Sequence, residues 1–346
     1  MALQLIEGFD HAGSAALYGL KGWLSAFGGG GAAVFDTGGR ISGKCLRLNS
    51  GVNLAQFYKL LPSSYSTLIV GFALNHQPGA NASQVLFYLK SSGTQVVALN
   101  INSTTRKLEV RNAANTLIKT GDFQYLADTW NYIEFKVVIA GAAGTIQVRA
   151  NGVDDIETFT GNFGSANIGE IYFAGQTSGG AQNAFYDDVY VLDTSGSAPN
   201  NDFIGDVRVE TLAPSAAGNS TVWTPNTGAN YAAVDEMTGT YPDGDTTYIS
   251  SATPGDIDTY TYADLAAPTD YAVFGVQTNL YARKDDAGTR QVAPVIRQAG
   301  TDHLGTTRTL STSYVYYSEI FGQDPTAADW TVATVNADEF GVKEIA

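Results

Sequence analysis

Apolar and polar positions alternate with period two through most of the chain, and no long amphipathic helix is written before residue 193. Residues 66–74 place Leu68, Val70 and Phe72 on one face of a strand. Residues 84–89 and 96–101 predict a hairpin across Lys90-Ser91-Ser92-Gly93. A second hairpin is predicted from 107–111 and 116–119, and a third from 132–139 and 145–150. Strands at 168–174 and 184–192 complete the set. Alternation sets Trp130, Tyr132 and Glu134 opposite Ile133 and Phe135. Trp130 is therefore a core ring if its face is buried and a binding candidate if that face is open. Many short strands broken by Gly and Asn predict a sandwich of antiparallel sheets.

The pattern is interrupted at 193–202, a polar stretch with both Gly and Pro and no apolar partner for a core. This predicts a domain at 1–193, a linker at 194–202 and a second domain at 203–346. The second is also β-rich, with strand-like runs at 271–282, 291–298, 307–313 and 314–321. Residues 324–330 read as a turn with a short helical start. Asn336-Ala337-Asp338-Glu339 reads as the start of a terminal helical turn that Gly341 stops. The expected fold class is all-β: a sandwich followed by a second, smaller β-sandwich. No fixed-period repeat is present, which argues against a β-helix fibre.

Composition narrows the picture. The 346 residues carry only 15% charged side chains, against the usual quarter, with 38 Gly. Small polar residues suit tight turns and surfaces that pack against other subunits. A net charge of −15 repels phosphate backbones and anionic membranes, so no nucleic-acid partner is expected. No stretch nears the ~20 apolar residues of a membrane helix, so no membrane insertion is expected. The start MALQLIEGFD lacks the basic lead and long apolar run of a signal peptide. Cys45, the one cysteine, reads as a small buried hydrophobe.

Five phrases carry a resemblance: Glu7-Gly8-Phe9-Asp10-His11, GKCLRL at 43–48, TWNYIEF at 129–135, GTIQVR with Asn151-Gly152 from 144, and FYDDVYV at 185–191. In this order they resemble the laminin-G-like, or concanavalin-A-like, jelly roll. The opening EGFDH and closing FYDDVYVLD are similar to the version found in structural proteins of tailed bacteriophages. FIGDVRVETLAPSAAGN and DWTVATVNADEFGVK, in the second half, are similar to phage structural proteins too. The resemblance implies a phage virion surface protein, assembled in the host cytoplasm. Its role would be a tail, collar or head fibre or spike adhesin that contacts host-surface polysaccharide. Its partners would be other virion proteins and copies of itself, with a trimer expected for a fibre. The alternatives are a capsid decoration or cement protein, a polysaccharide-degrading enzyme on the same fold, and a free lectin-like protein.

Candidate chemistry is sparse, and no catalytic residue is expected. A glycosidase needs two carboxylates at close range, and the Glu-x-Asp-x-x-Glu pattern of jelly-roll glucanases is absent. Glu134, Glu157, Glu170 and Glu210 lack such partners, and the adjacent Asp187 and Asp188 are expected on opposite sides of a strand. His11, His76 and His303 are scattered, with no zinc spacing, and no G-x-S-x-G elbow occurs. His11 reads as a strand-end hydrogen-bonding residue. Calcium is the one cofactor the resemblance allows. Its candidates are Asp10, Asp187 and Asp188, on first and last strands that neighbour each other in such folds. Asp243 with Asp245 and Asp256 with Asp258 are turn-borne acidic pairs, for which Asx turns are the plainer reading. Lys284–Gly288 reads as an ordinary hairpin turn. Tyr314, Tyr316 and Tyr317, and Tyr260 and Tyr262, offer rings for a sugar or a subunit contact. No ligand-binding residue is assigned among them.

Overall fold

A computed structural model describes residues 3–27, 32–36, 38–50, 54–77, 83–175, 182–236 and 242–346. Strand accounts for 52% and helix for 6%, so the protein is all-β. The chain divides into two units, Met1–Asp10 with Ser14–Val209, and His11–Gly13 with Glu210–Ala346. Residues 194–202 fall within the first unit by this division.

The first unit begins with β1 (Leu3–Glu7), a short helix α1 (Ala15–Leu20), β2 (Trp23–Phe27), β3 (Ala32–Asp36), β4 (Cys45–Ser50) and β5 (Ala55–Tyr65). It continues through β6 (Thr67–Gln77), β7 (Ser83–Ser91), β8 (Thr94–Asn102), β9 (Leu108–Asn112) and β10 (Leu117–Thr120). It closes with β11 (Trp130–Val138), β12 (Gly144–Ala150), β13 (Val153–Gly161), β14 (Ile168–Gly175) and β15 (Gln182–Leu192). An eight-stranded sheet runs β13-β12-β11-β6-β15-β4-β3, with β1 also on β15, and a seven-stranded sheet runs β10-β9-β8-β7-β14-β5-β2. The result is a jelly-roll sandwich: the alternation predicts the pair of antiparallel sheets, and the resemblance implies the jelly roll.

Register explains the core. Phe57, Phe173, Phe87, Leu99 and Val110 stand side by side across five strands of the seven-stranded sheet, all buried. Phe72 and Phe135 meet Phe87 from the eight-stranded sheet, at 5.3 and 6.3 Å between centroids. Each fully buried ring of this kind contributes ~1.5–3 kcal/mol. Tyr186 spans the sandwich, donating its phenol proton among the carbonyls of Leu86 and Ala174 at 2.8 and 2.7 Å.

The second unit contains β16 (Pro214–Thr221), β17 (Thr224–Pro225), β18 (Ile249–Ser250), β19 (Ile257–Tyr262) and β20 (Val276–Ala282). It continues with β21 (Gln291–Gln298), β22 (Thr301–Leu304), β23 (Arg308–Thr309), β24 (Val315–Phe321), α2 (Val332–Ala337) and β25 (Glu339–Glu344). The main sheet runs β16-β19-β25-β21-β22, with β23 on β21, and β20 pairs with β24 in a separate ribbon. One face of that ribbon packs on the sheet. Val276 and Phe321 meet the Ile296–Trp330–Phe340 cluster, while Leu280 and Tyr317 meet Val292, Leu310 and Val342.

The expected terminal helix is corrected here. Helix α2 lies earlier, opened by a capping box between Thr331 and Thr334. Glu339 begins a central strand because Phe340 and Val342 alternate into the core. Gly341 is no helix stop: a Cβ there would lie 1.9 Å from the carbonyl oxygen of Asp258 on the neighbouring strand.

Candidate functional site

The structure departs from strict alternation at the acidic pair in the middle of β15. Asp188 takes φ 52°, and the pairing with β6 shifts between Asp187 and Tyr190. This bulge abolishes the opposite-face expectation, and both carboxylates are buried. Asp187 accepts the backbone N–H groups of Arg40 and Asp188, each at 2.8 Å. Asp188 accepts the Val209 N–H at 2.7 Å and faces Arg40 Nε at 3.3 Å. Burial, then the neighbouring Asp188, pushes Asp187 up to about 8, and burial pushes Asp188 up to about 6. Asp10 accepts the Lys44 N–H at 2.6 Å. N–H donors and a guanidinium surround these oxygens, an arrangement unlike the oxygen cage of calcium. Among the described residues no group of three or more His, Cys, Asp or Glu is placed to hold a metal ion.

The same face binds the chain's own segment 202–209. Lys136 pairs with Asp202 at 2.9 Å, and Arg149 lies 4.5 Å over the Phe203 ring. Glu134 accepts the Gly205 N–H at 2.8 Å and the Tyr190 hydroxyl. Arg40 joins Asp206 while lying 5.2 Å over Tyr132. Gly71 keeps the floor open, since a Cβ there would meet Tyr190 Cε1 at 2.0 Å. The segment expected to open the second domain is thus fastened to the first unit's sheet.

In the second unit, Asp258 is fully buried and accepts the Trp223 N–H and the Tyr260 hydroxyl at 2.8 and 3.1 Å. Asp256 accepts Ser251 Oγ, and Asp243 accepts the N–H and hydroxyl of Thr247. Asp245 accepts the Tyr314 hydroxyl at 2.8 Å and pairs with Arg283. Tyr314 stacks on Tyr281 at 4.7 Å, and Tyr316 meets the same ring at 4.8 Å. Tyr262 and Tyr317 pack against the two core clusters. The Tyr316 hydroxyl donates to the carbonyl of His11. His303 lines a pocket with Ile296, Phe321, Asp302 and Asp324. His76, in the first unit, is buried 2.9 Å from Arg106; burial and that guanidinium hold it down at about 3, so its imidazole is neutral at pH 7. Cys45 is buried, as expected.

Two outward faces of the sandwich carry aromatic side chains. On the seven-stranded sheet Tyr58, Tyr172 and Tyr88 stand in register on β5, β14 and β7. Tyr58 stacks on Tyr172 at 4.2 Å, and Lys90 lies 3.8 Å over the other side of Tyr172. The faces of the Tyr172 ring are thereby occupied. A sequence signal for this row exists: each Tyr adjoins the Phe of the core row, in QFYKL, LFYLK and IYFAG.

The eight-stranded sheet carries a more open row. Trp130, Asn75, Phe185 and Arg47 are consecutive partners across β11, β6, β15 and β4. Trp130, Asn75 and Phe185 are each half-buried. The core face of β11 belongs to Ile133 and Phe135, so Trp130 falls on the outer side. Gln77, Asn183 and Asn49 form the next row.

No family model matches the chain, and no curated protein matches it. Similar solved structures include a cellulose-induced protein, Cip1 (14% identity over 49% of this chain and 91% of that one, TM-score 0.40). Lectin II from Ulex europaeus is similar at 9% identity over 55% and 99% of the two chains, with a TM-score of 0.39. A carbohydrate-binding module, CBM66 from Bacillus subtilis, is similar at 11% identity over 49% and 95%, with a TM-score of 0.35.

Proposed function

We propose that the protein is a structural part of a tailed-bacteriophage virion surface, a tail, collar or head fibre or spike that contacts host-surface glycans through many copies. The observation that carries this reading is the use made of buried acids. Glu7, Glu134, Asp187, Asp188 and Asp258 each accept hydrogen bonds from other elements of the fold. Each acts as a fastener between strands or between a sheet and a connecting segment. Such groups give rigidity, which a load-bearing part of a particle requires. The phrases that resemble those of phage structural proteins support the same assignment. Symmetric display would turn weak single contacts into firm attachment.

Adsorption interference tests the reading. Purified protein added to host cells should slow the adsorption of particles bearing this chain, increasingly with dose. Unchanged adsorption at saturating protein would contradict it.

A further inference from the structure

We infer that the row Trp130–Asn75–Phe185 on the eight-stranded sheet is a binding site for an uncharged glycan chain; the inference rests on the reading of the protein as a glycan-contacting one. Three features of the row carry it.

The first is spacing. The three residues occupy adjacent strands in register, so Trp130 and Phe185 are about 9.6 Å apart along the sheet, two strand separations, with an amide between them. A sugar chain offers apolar C–H faces and hydroxyl edges by turns. Two rings flanking an amide match that alternation.

The second is availability. Among the described residues neither Trp130 nor Phe185 has an aromatic partner, in contrast to the tyrosine row of the other sheet, and both are partly exposed. The strand alternation that directs Ile133, Phe135 and Tyr186 into the core directs these two rings outward.

The third is unmet hydrogen-bonding capacity. Asn183 Nδ2 donates to Gln77 Oε1 at 2.6 Å, yet the Oδ1 atoms of Asn183 and Asn75 are buried without a donor. Buried acceptors are satisfied in nearly all proteins, so such a pair calls for an explanation. Each residue is partly exposed as a whole, which sets its amide at the edge of the face that carries the two rings. Trp130, Asn75, Phe185, Gln77, Asn183 and Asn49 include no carboxylate, although the chain carries 34 acidic residues. The charged member of the row, Arg47, lies beyond Phe185. A hydroxyl-rich ligand without charge therefore meets donors, acceptors and rings but no uncompensated ion.

The test is a binding panel on the full chain, with the neutral polysaccharides dextran, mannan and galactan and the acidic alginate and hyaluronate. Wild type is compared with Trp130→Ala, Phe185→Ala, Arg47→Ala and, on the opposite sheet, Tyr88→Ala. Wild type should bind at least one neutral polysaccharide. Trp130→Ala and Phe185→Ala should each weaken it by at least ~10-fold, as truncation of a ring at the centre of a contact does. Tyr88→Ala and Arg47→Ala should leave it within ~3-fold, less than ~0.7 kcal/mol. If either ring variant is unfolded by circular dichroism, the indole N–H resonance of Trp130 in the wild-type protein supplies the readout and should shift on titration with the bound polysaccharide. Neutral-glycan binding that survives both ring variants, or leaves that resonance unmoved, overturns the site while leaving the glycan reading intact. Binding confined to the acidic polysaccharides and lost in Arg47→Ala overturns the ligand class. Absence of binding to every member defeats the inference together with the reading beneath it.

Discussion

Lys21→Met should unfasten the start of the sandwich. The carboxylate of Glu7 is 1% exposed and the Lys21 side chain 4%, with 2.9 Å between Nζ and Oε2. Glu7 also accepts the Trp23 indole N–H at 3.2 Å and the Phe9 N–H at 3.1 Å. The pair thus ties β1 to the end of α1 and to β2. Deleting one member of a buried pair costs ~3–5 kcal/mol, because the other charge stays buried. The two N–H donors remain in the variant. Lys59, whose Nζ donates to the Lys21 carbonyl at 2.6 Å, also stays close. Both moderate the loss, which places it near the low end, ~3 kcal/mol. For a unit of this size 1 kcal/mol moves Tm by ~2–4 °C, so a fall of ~6–12 °C is expected at pH 7. Calorimetry on the full chain reads it directly. Glu7→Gln combined with Lys21→Met should recover part of the loss, since no charge remains and the one glutamine carbonyl oxygen still accepts one of the two N–H groups, which Glu7 holds on separate oxygens. A single variant within ~2 °C of wild type, or a double variant no better than the single, would refute the reasoning.

Three further outcomes are expected. Asp187 is raised to about 8 in the folded state from an ordinary 3.8, so its contribution is complete below pH 4 and is lost as pH rises toward 8. Between pH 6.5 and 8 two groups act in the opposite sense, each by ~0.4 kcal/mol: His76, held down at about 3, is half-protonated at pH 6.5 only in the unfolded chain, and Lys59, lowered to about 8, is half-deprotonated at pH 8 only in the folded one. The first unit should therefore lose ~1 kcal/mol net across that window, and Asp187→Asn should abolish the loss in calorimetric scans at the two pH values. Glu134→Ala removes the acceptor of the Gly205 N–H. Loss of a hydrogen bond to a charged group is worth ~1.5–3 kcal/mol, so amide exchange of residues 202–209 should accelerate ~10–100-fold by mass spectrometry. Gly341→Ala drives a methyl into the Asp258 backbone, and a loss above ~3 kcal/mol should abolish the second unit's melting transition.

The sandwich was legible because its strands alternate, and because Asn and Gly mark turns such as Asn151-Gly152, where both residues take positive φ. Legibility ended where tertiary contact overrides local pattern. Residues 336–341 offer a capping motif and a glycine stop, yet Phe340 and Val342 gain more from burial in a central strand. Asp187 and Asp188 follow alternation in sequence, but one positive-φ residue turns them into a buried pair. The tyrosine row was written as three Phe-Tyr neighbours, although only register reveals that they align. The Trp130 row has a similar origin. Alternation left the ring with two possible faces, and the pairing with Asn75 and Phe185 decides between them.

Electron microscopy of intact particles labelled with antibody against this chain tests the central claim most directly. The account predicts label on the tail, collar or projecting fibres. Particles that carry no label at all would contradict it.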